Sequence, residues 1–280
     1  MNRGDARHIA LGRLKDAAIP RPGLEADLLC EEAFGCSREE LLAHPELPIN
    51  QREEQRLLAL MEARGRHCPM AYLRGRASFW GLDLEVGPGC LIPRPETELL
   101  VETALDWFHG GRFLDWGTGS GCVALALLSE RENSRALMLE KTPPALRWAW
   151  RNLKRFPFLD RALLWHGASI ESVPSAWLPF DLIVGNPPYI PSSEIPSLMA
   201  DVRLYEPKEA LDGGRDGLDD VKAILRGAVR ALVPGGLLLL EIGGNRQAEE
   251  LKRFPAEELE VVQVKKDLSG TDRIVVWRHR

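Results

Sequence analysis

Apolar positions along this chain follow two different periods, and the change between them divides it. From residue 3 to about 64 the spacing is helical: Ile9, Leu11, Leu14 and Ala18 recur, Pro20-Arg21-Pro22-Gly23 interrupts, and Leu24, Leu28, Leu29 and Phe34 resume. Ser37 followed by Glu40 has capping-box spacing and predicts a short third helix through Leu41 and Leu42, with a longer one from about Gln51 to Ala63. Between 70 and 92, Phe79, Trp80, Leu82, Leu84 and Val86 alternate with Gly81, Gly87 and Gly89, a β-hairpin pattern. Leu99, Leu100, Ala104, Leu105 and Phe108 then mark an amphipathic helix, with Pro95 at its start.

From 112 onward the pattern is strand, turn, helix, repeated. Arg112–Trp116 reads as a strand, Gly117-Thr118-Gly119-Ser120-Gly121 as a turn, and Cys122–Leu128 as an apolar helix. Further strands are expected at Ala136–Leu139, Leu163–Trp165, Phe180–Val184, Leu237–Glu241, Leu259–Val264 and Arg273–Trp277, and helices near 144–156 and 217–231. Alternation of this kind predicts a doubly wound, mostly parallel α/β sheet of about seven strands. Three segments follow: a helical N-terminal domain over 1–68, expected to recognise substrate, a hairpin linker over 69–92, and a catalytic α/β domain over 93–280.

Composition narrows the partners. A formal net charge of −5 supplies no global basic field for duplex nucleic acid or an anionic membrane. The cysteines Cys30, Cys36, Cys68, Cys90 and Cys122 are odd in number and lack a Cys-x-x-Cys pair, which argues against a disulfide framework and a zinc site. With no apolar leader or spanning segment, a cytoplasmic monomer with no membrane partner is expected.

The candidate chemistry sits where the strand Phe180-Asp-Leu-Ile-Val-Gly ends in Asn186-Pro187-Pro188-Tyr189. Each proline holds the residue before it in open backbone and lacks an N–H, which frees carbonyl oxygens to accept. The Asn186 amide oxygen is a further acceptor and Tyr189 a flat face, a pocket suited to a planar NH2 group. A strand-ending turn with no chemistry is the plainer reading. The glycine turn brings backbone and a helix N-terminus close to a ligand, shared by dinucleotide and S-adenosylmethionine binders. Glu140, at the next strand end, suits two ribose hydroxyls. Arg94, Glu96 and Glu98 fit a solvated first helical turn as well as a site.

Taken together, the chain resembles the HemK/PrmC protein-(glutamine-N5) methyltransferases that modify peptide chain release factors. The resemblance rests on Leu91-Ile-Pro-Arg-Pro-Glu-Thr-Glu98, Leu114-Asp-Trp-Gly-Thr-Gly-Ser-Gly121, Phe180-Asp-Leu-Ile-Val-Gly-Asn-Pro-Pro-Tyr-Ile190, Tyr205-Glu-Pro207 with Ala210-Leu-Asp-Gly-Gly-Arg-Asp-Gly-Leu218, Pro234-Gly-Gly236 with Glu241-Ile-Gly243, and Asp267-Leu-Ser-Gly-Thr-Asp-Arg273. It implies a class I S-adenosylmethionine fold and methylation of the glutamine in a Gly-Gly-Gln segment. It also implies that Gly117, Thr118, Gly119, Ser120, Gly121, Glu140, Ser169 and Asn186 bind the donor. Asn186, Pro187, Pro188 and Tyr189 would receive the glutamine, with Asn186, Pro187 and Tyr189 in the catalytic roles. Two positions depart from the family: Glu140 stands where an Asp is usual, and Gly167-Ala168-Ser169-Ile170 lacks the usual carboxylate beside the adenine. An adenine-N6 methyltransferase acting on nucleic acid and a non-catalytic, factor-binding adaptor are the alternatives; a nicotinamide dehydrogenase is disfavoured because Gly121 falls one residue early.

Overall fold

The computed structural model describes residues 1–255 and 258–280. Its elements run α1 (Arg3–Asp16), α2 (Pro22–Phe34), α3 (Arg38–Ala43), α4 (Gln51–Gly65), α5 (Met70–Arg74), β1 (Arg76–Phe79), β2 (Leu82–Glu85), α6 (Glu98–Trp107), β3 (Gly111–Trp116), α7 (Cys122–Glu130), β4 (Ser134–Glu140) and α8 (Pro143–Leu153). They continue with β5 (Ala162–His166), β6 (Phe180–Gly185), α9 (Ala200–Tyr205), α10 (Asp219–Ala231), β7 (Leu232–Glu241), α11 (Asn245–Lys252), β8 (Leu259–Lys266) and β9 (Asp272–His279). Contacts divide the chain into two units, Met1–Gly75 with Met199–Tyr205, and Arg76–Leu198 with Glu206–Arg280.

The first unit is helical. Asn2 and Asn50 each complete a capping box, with Asp5 and Glu53, and Ser37 accepts the Glu40 N–H as its spacing predicts. The buried stripe of α1 is not the expected one: Ala6, Ala10 and Leu14 face inward while Ile9 is exposed. Small alanines let α1 and α2 pack closely, and α2 answers with Ala26, Leu29, Cys30 and Ala33. Asp27, buried among them, is paired by Arg7 and Arg38, so its charge is compensated. Residues 70–74 form a helical turn ahead of the hairpin, where the glycine alternation predicted only extended chain.

In the second unit the hairpin β1–β2 is joined by Trp80 and Gly81, both at positive φ (52° and 71°), the two-residue turn whose twist matches that of the strands. The large sheet has order β5-β4-β3-β6-β7-β9-β8, parallel through β7 and antiparallel at β9 and β8. Along β6, Leu182 and Val184 enter one apolar layer with α6 and α7 side chains, while Ile183 enters the other with those of α10. A strand buried on both faces needs such an unbroken apolar run, and this run has one.

Chain order reverses between β3 and β6: β4 and β5 follow to one side, β7 to the other. A crevice opens at such a switch point, beyond the carboxyl ends of the strands. Register aligns those ends. Leu139, Trp116, Gly185 and Leu240 form one row across β4, β3, β6 and β7, so the residues that follow them, Glu140, Gly117, Asn186 and Glu241, emerge side by side.

Candidate active site

At the end of β3 the chain turns through Gly117, Gly119 and Gly121, each at positive φ (67°, 57° and 86°), a conformation that side chains oppose. A Cβ on Gly121 would also lie 2.8 Å from Met138 Cε. Asp115 anchors the turn from below, accepting the Thr118 hydroxyl at 2.5 Å and the Ala124 N–H at 3.2 Å. Complete burial outweighs those two bonds and pushes the Asp115 carboxyl up to about 7. In the sequence, Asp115 is marked as a carboxylate interrupting an apolar strand just before a glycine turn.

Glu140 ends β4 and is buried. Its Oε2 accepts the Gly119 N–H at 3.0 Å, and its Oε1 accepts the Thr142 N–H at 2.8 Å and the Thr142 hydroxyl at 2.9 Å. A carboxylate offers about four acceptor directions, so three are engaged by the protein itself. This side chain ties the glycine turn to Thr142 at the start of α8.

A cleft of about 890 Å³, part of it open to solvent, lies over this edge. Its lining includes Gly117, Thr118, Gly119, Ser120, Glu140, Asn186 and Pro188. Gly121 sits behind the turn as the residue that caps α7. Ser169 is exposed and does not line the cleft; Gly167 and Ala168 do. Pro187 is buried and, like Tyr189, is not among the residues lining the cleft; the Tyr189 hydroxyl donates to Glu241 Oε1 at 3.1 Å. Burial, together with the adjacent Glu241, raises the Tyr189 hydroxyl well above its ordinary range, and its carbonyl is held by Gln247 Nε2 at 2.9 Å. The ring is fixed at both ends.

The segment read as a possible solvated first turn is part of the site. Arg94 lines the cleft and pairs with the buried Glu206 at 2.5 Å, while the same carboxylate accepts the Ile92 N–H at 3.1 Å. Thr97, 2% exposed, accepts from Asn186 Nδ2 at 3.0 Å. Glu98 accepts the Trp80 N–H at 2.8 Å, and only Glu96 of the three charged residues is exposed. No local period signals these roles, because each partner lies far along the chain.

A doubly wound sheet with a glycine turn and an acidic strand end at its switch point defines the class I methyltransferase fold. A methyltransferase from Pyrococcus furiosus shares it with TM-score 0.53 and 20% identity, covering 71% of this chain and 89% of that one. Residues 5–75 match the family model of the PrmC N-terminal domain and residues 95–215 that of the methyltransferase small domain. Release factor glutamine methyltransferases of Rhodospirillum rubrum and Caulobacter vibrioides are each 38% identical over 270 residues, covering 96% and 95% of this chain and 82% and 93% of theirs. The chain belongs to the release factor glutamine methyltransferase family. Among the described residues no helix is long and apolar enough to cross a membrane.

Proposed function

We propose that this protein methylates the side-chain amide nitrogen of the glutamine in the Gly-Gly-Gln segment of peptide chain release factors, with S-adenosylmethionine as donor. The reading rests above all on the Asn186 carboxamide: its NH2 is engaged by Thr97, which leaves the oxygen as the group offered to a substrate NH2.

The cleft suits the donor. The turn residues Gly117 and Gly119 bring bare backbone to its wall, and Ser120 Oγ is buried with no hydrogen-bond partner among the described residues. Gly117, Gly119, Ser120 and Glu140 would hold it, with Gly121 opening the helix behind them. When bound, S-adenosylmethionine supplies an electrophilic methyl group on a sulfonium.

The chain's own residues must then position a poor nucleophile, because a carboxamide nitrogen shares its lone pair with the carbonyl. The Asn186 oxygen and the Pro187 carbonyl accept the two amide hydrogens, orient the nitrogen and stabilise the positive charge that grows on it. Pro188 and the immobilised Tyr189 shape the aperture around the glutamine side chain. The proton released from the nitrogen passes to water, since the corner places no strong base beside it.

The test is mass spectrometry of a release factor incubated with the protein and donor, beside a factor whose Gly-Gly-Gln glutamine is replaced. One added methyl on that glutamine alone is expected. A factor left unmodified while the donor still binds would overturn the reading.

A further inference from the structure

Of the segment Ala210-Leu-Asp-Gly-Gly-Arg-Asp-Gly-Leu218, only Ala210 lines the cleft. The rest pairs with the chain that leaves the Asn186 corner. Ile190 donates its N–H to the Leu211 carbonyl at 3.1 Å, and the Gly213 N–H returns to the Ile190 carbonyl at 2.9 Å. The Ser192 N–H extends the pairing to the Gly214 carbonyl at 2.8 Å. Two glycines let this loop come close. A Cβ on Gly213 would lie 2.5 Å from the Pro188 carbonyl oxygen, and one on Gly217, already at φ 74°, would overlap the Tyr189 carbonyl oxygen.

One side chain ties loop, corner and the end of β7 together. Gln247, in α11 and 7% exposed, accepts the Gly243 N–H at 2.7 Å through Oε1. Its Nε2 donates to the Tyr189 carbonyl at 2.9 Å and to the Asp216 and Gly217 carbonyls, each at 3.3 Å. Two hydrogens thus serve three acceptors. Only a carboxamide of this length brings an acceptor and two donors to one point; glutamate lacks the donors, and methionine lacks both functions.

We propose that Gln247 is a positioning residue for the methylation: by holding the Tyr189 carbonyl, it fixes the backbone that carries the Pro187 carbonyl and the Asn186 oxygen. This rests on the reading of those two oxygens as the acceptors of the substrate amide. Pro188 stands between the held carbonyl and the acceptors, and its ring locks φ. A shift of the Tyr189 peptide is therefore passed back to Pro187 instead of being absorbed. Transfer to a poor nucleophile is sensitive to such shifts, since misplacement by about 1 Å costs on the order of 100-fold. Gln247 does not line the cleft, so donor binding does not depend on it.

The test compares the full-length protein with Gln247→Met, Asn186→Ala and the double variant. Calorimetry gives donor Kd and the number of donor sites per chain, and kcat on a release factor is expressed per donor site, so that a merely unfolded fraction does not count. Gln247→Met is expected to lower kcat per site about tenfold, with donor Kd within about twofold and KM for the factor within about threefold. The double variant should lose no more than Asn186→Ala alone, because both changes act on one group. A Gln247→Met rate per donor site equal to that of the wild type would make Gln247 structural only and overturn the proposal, as would losses that multiply in the double variant. If Gln247→Met binds no donor, Gln247→Asn decides: the shorter amide cannot span Gly243 and Tyr189, so its rate per site should fall likewise, and a wild-type rate rejects the role. Full activity in Asn186→Ala defeats the acceptor reading itself, whereas its loss beside a fully active Gln247→Met defeats the positioning role alone.

Discussion

Asn186 donates its Nδ2 hydrogen to the Thr97 hydroxyl at 3.0 Å, across 89 positions of sequence. The bond joins the strand-end corner to the Pro-Arg-Pro-Glu-Thr-Glu segment and makes them one site. It also decides which end of the carboxamide is spent inside the protein and which is available to a substrate.

Asn186→Ala removes that available oxygen. Turnover on a release factor should fall about 100-fold, in line with the loss of one preorganised charge-stabilising group. Donor binding, followed by calorimetry, should remain measurable. A variant that turns over at the wild-type rate would contradict the role given to the corner.

Glu140→Ala attacks the other end of the cleft. Loss of a charged acceptor is expected to weaken the donor by roughly 1.5–3 kcal/mol. Part of that loss arises because the Gly119 and Thr142 N–H groups lose their partner. The check is donor Kd beside kcat at saturating donor: Kd should carry most of the change, and an unmoved Kd rejects Glu140 as a donor contact.

Arg94→Ala strips the guanidinium from Glu206, whose side chain is 1% exposed. Breaking a buried pair from the cation side costs about 3–5 kcal/mol; because Arg94 is itself partly solvated, the lower end applies here. Glu206→Gln keeps an acceptor for the Ile92 N–H and should cost less. Urea denaturation of the two variants gives the comparison, and the reverse order would show that the pair is not what stabilises this loop.

Asp115 and Glu241 are both raised to about 7 by burial. Folded, they hold their protons to higher pH than in the unfolded chain, so folding binds protons between roughly pH 4 and pH 7. Their contribution to stability is therefore complete at acid pH and lost as pH rises through about 7. Carboxylates held low, such as Asp216 beside Lys222, change below this window. Urea midpoints of the wild type at pH 5, 6, 7 and 8 should decline, and Asp115→Asn should flatten the decline. An equally steep decline in Asp115→Asn would place the titration elsewhere.

Much of the fold and of the candidate site is legible in the sequence. Period-two and apolar runs located the strands, glycines at 117, 119 and 121 marked the turn, and Asn186-Pro187-Pro188-Tyr189 stood out by its chemistry as a candidate corner. Ala6 and Ala10 were not legible as the packed face of α1, because hydrophobic periodicity favours the larger Ile9, whereas close helix packing selects small side chains. Ser169 was carried over by resemblance, and the cleft wall is built from Gly167 and Ala168 instead.

By itself the sequence determined the strands, their two buried faces and the residues that stop them, since these follow from local preference and from the pattern of burial. It could not determine which strand ends stand together. That was decided by the order of strands around the β3/β6 reversal, which places Glu140, Gly117, Asn186 and Glu241 in one row. The pairings Asn186 with Thr97, Arg94 with Glu206 and Tyr189 with Glu241 span 89, 112 and 52 positions. Contacts at such separations leave no periodic trace in the chain and arise only when the sheet has brought distant segments to one edge.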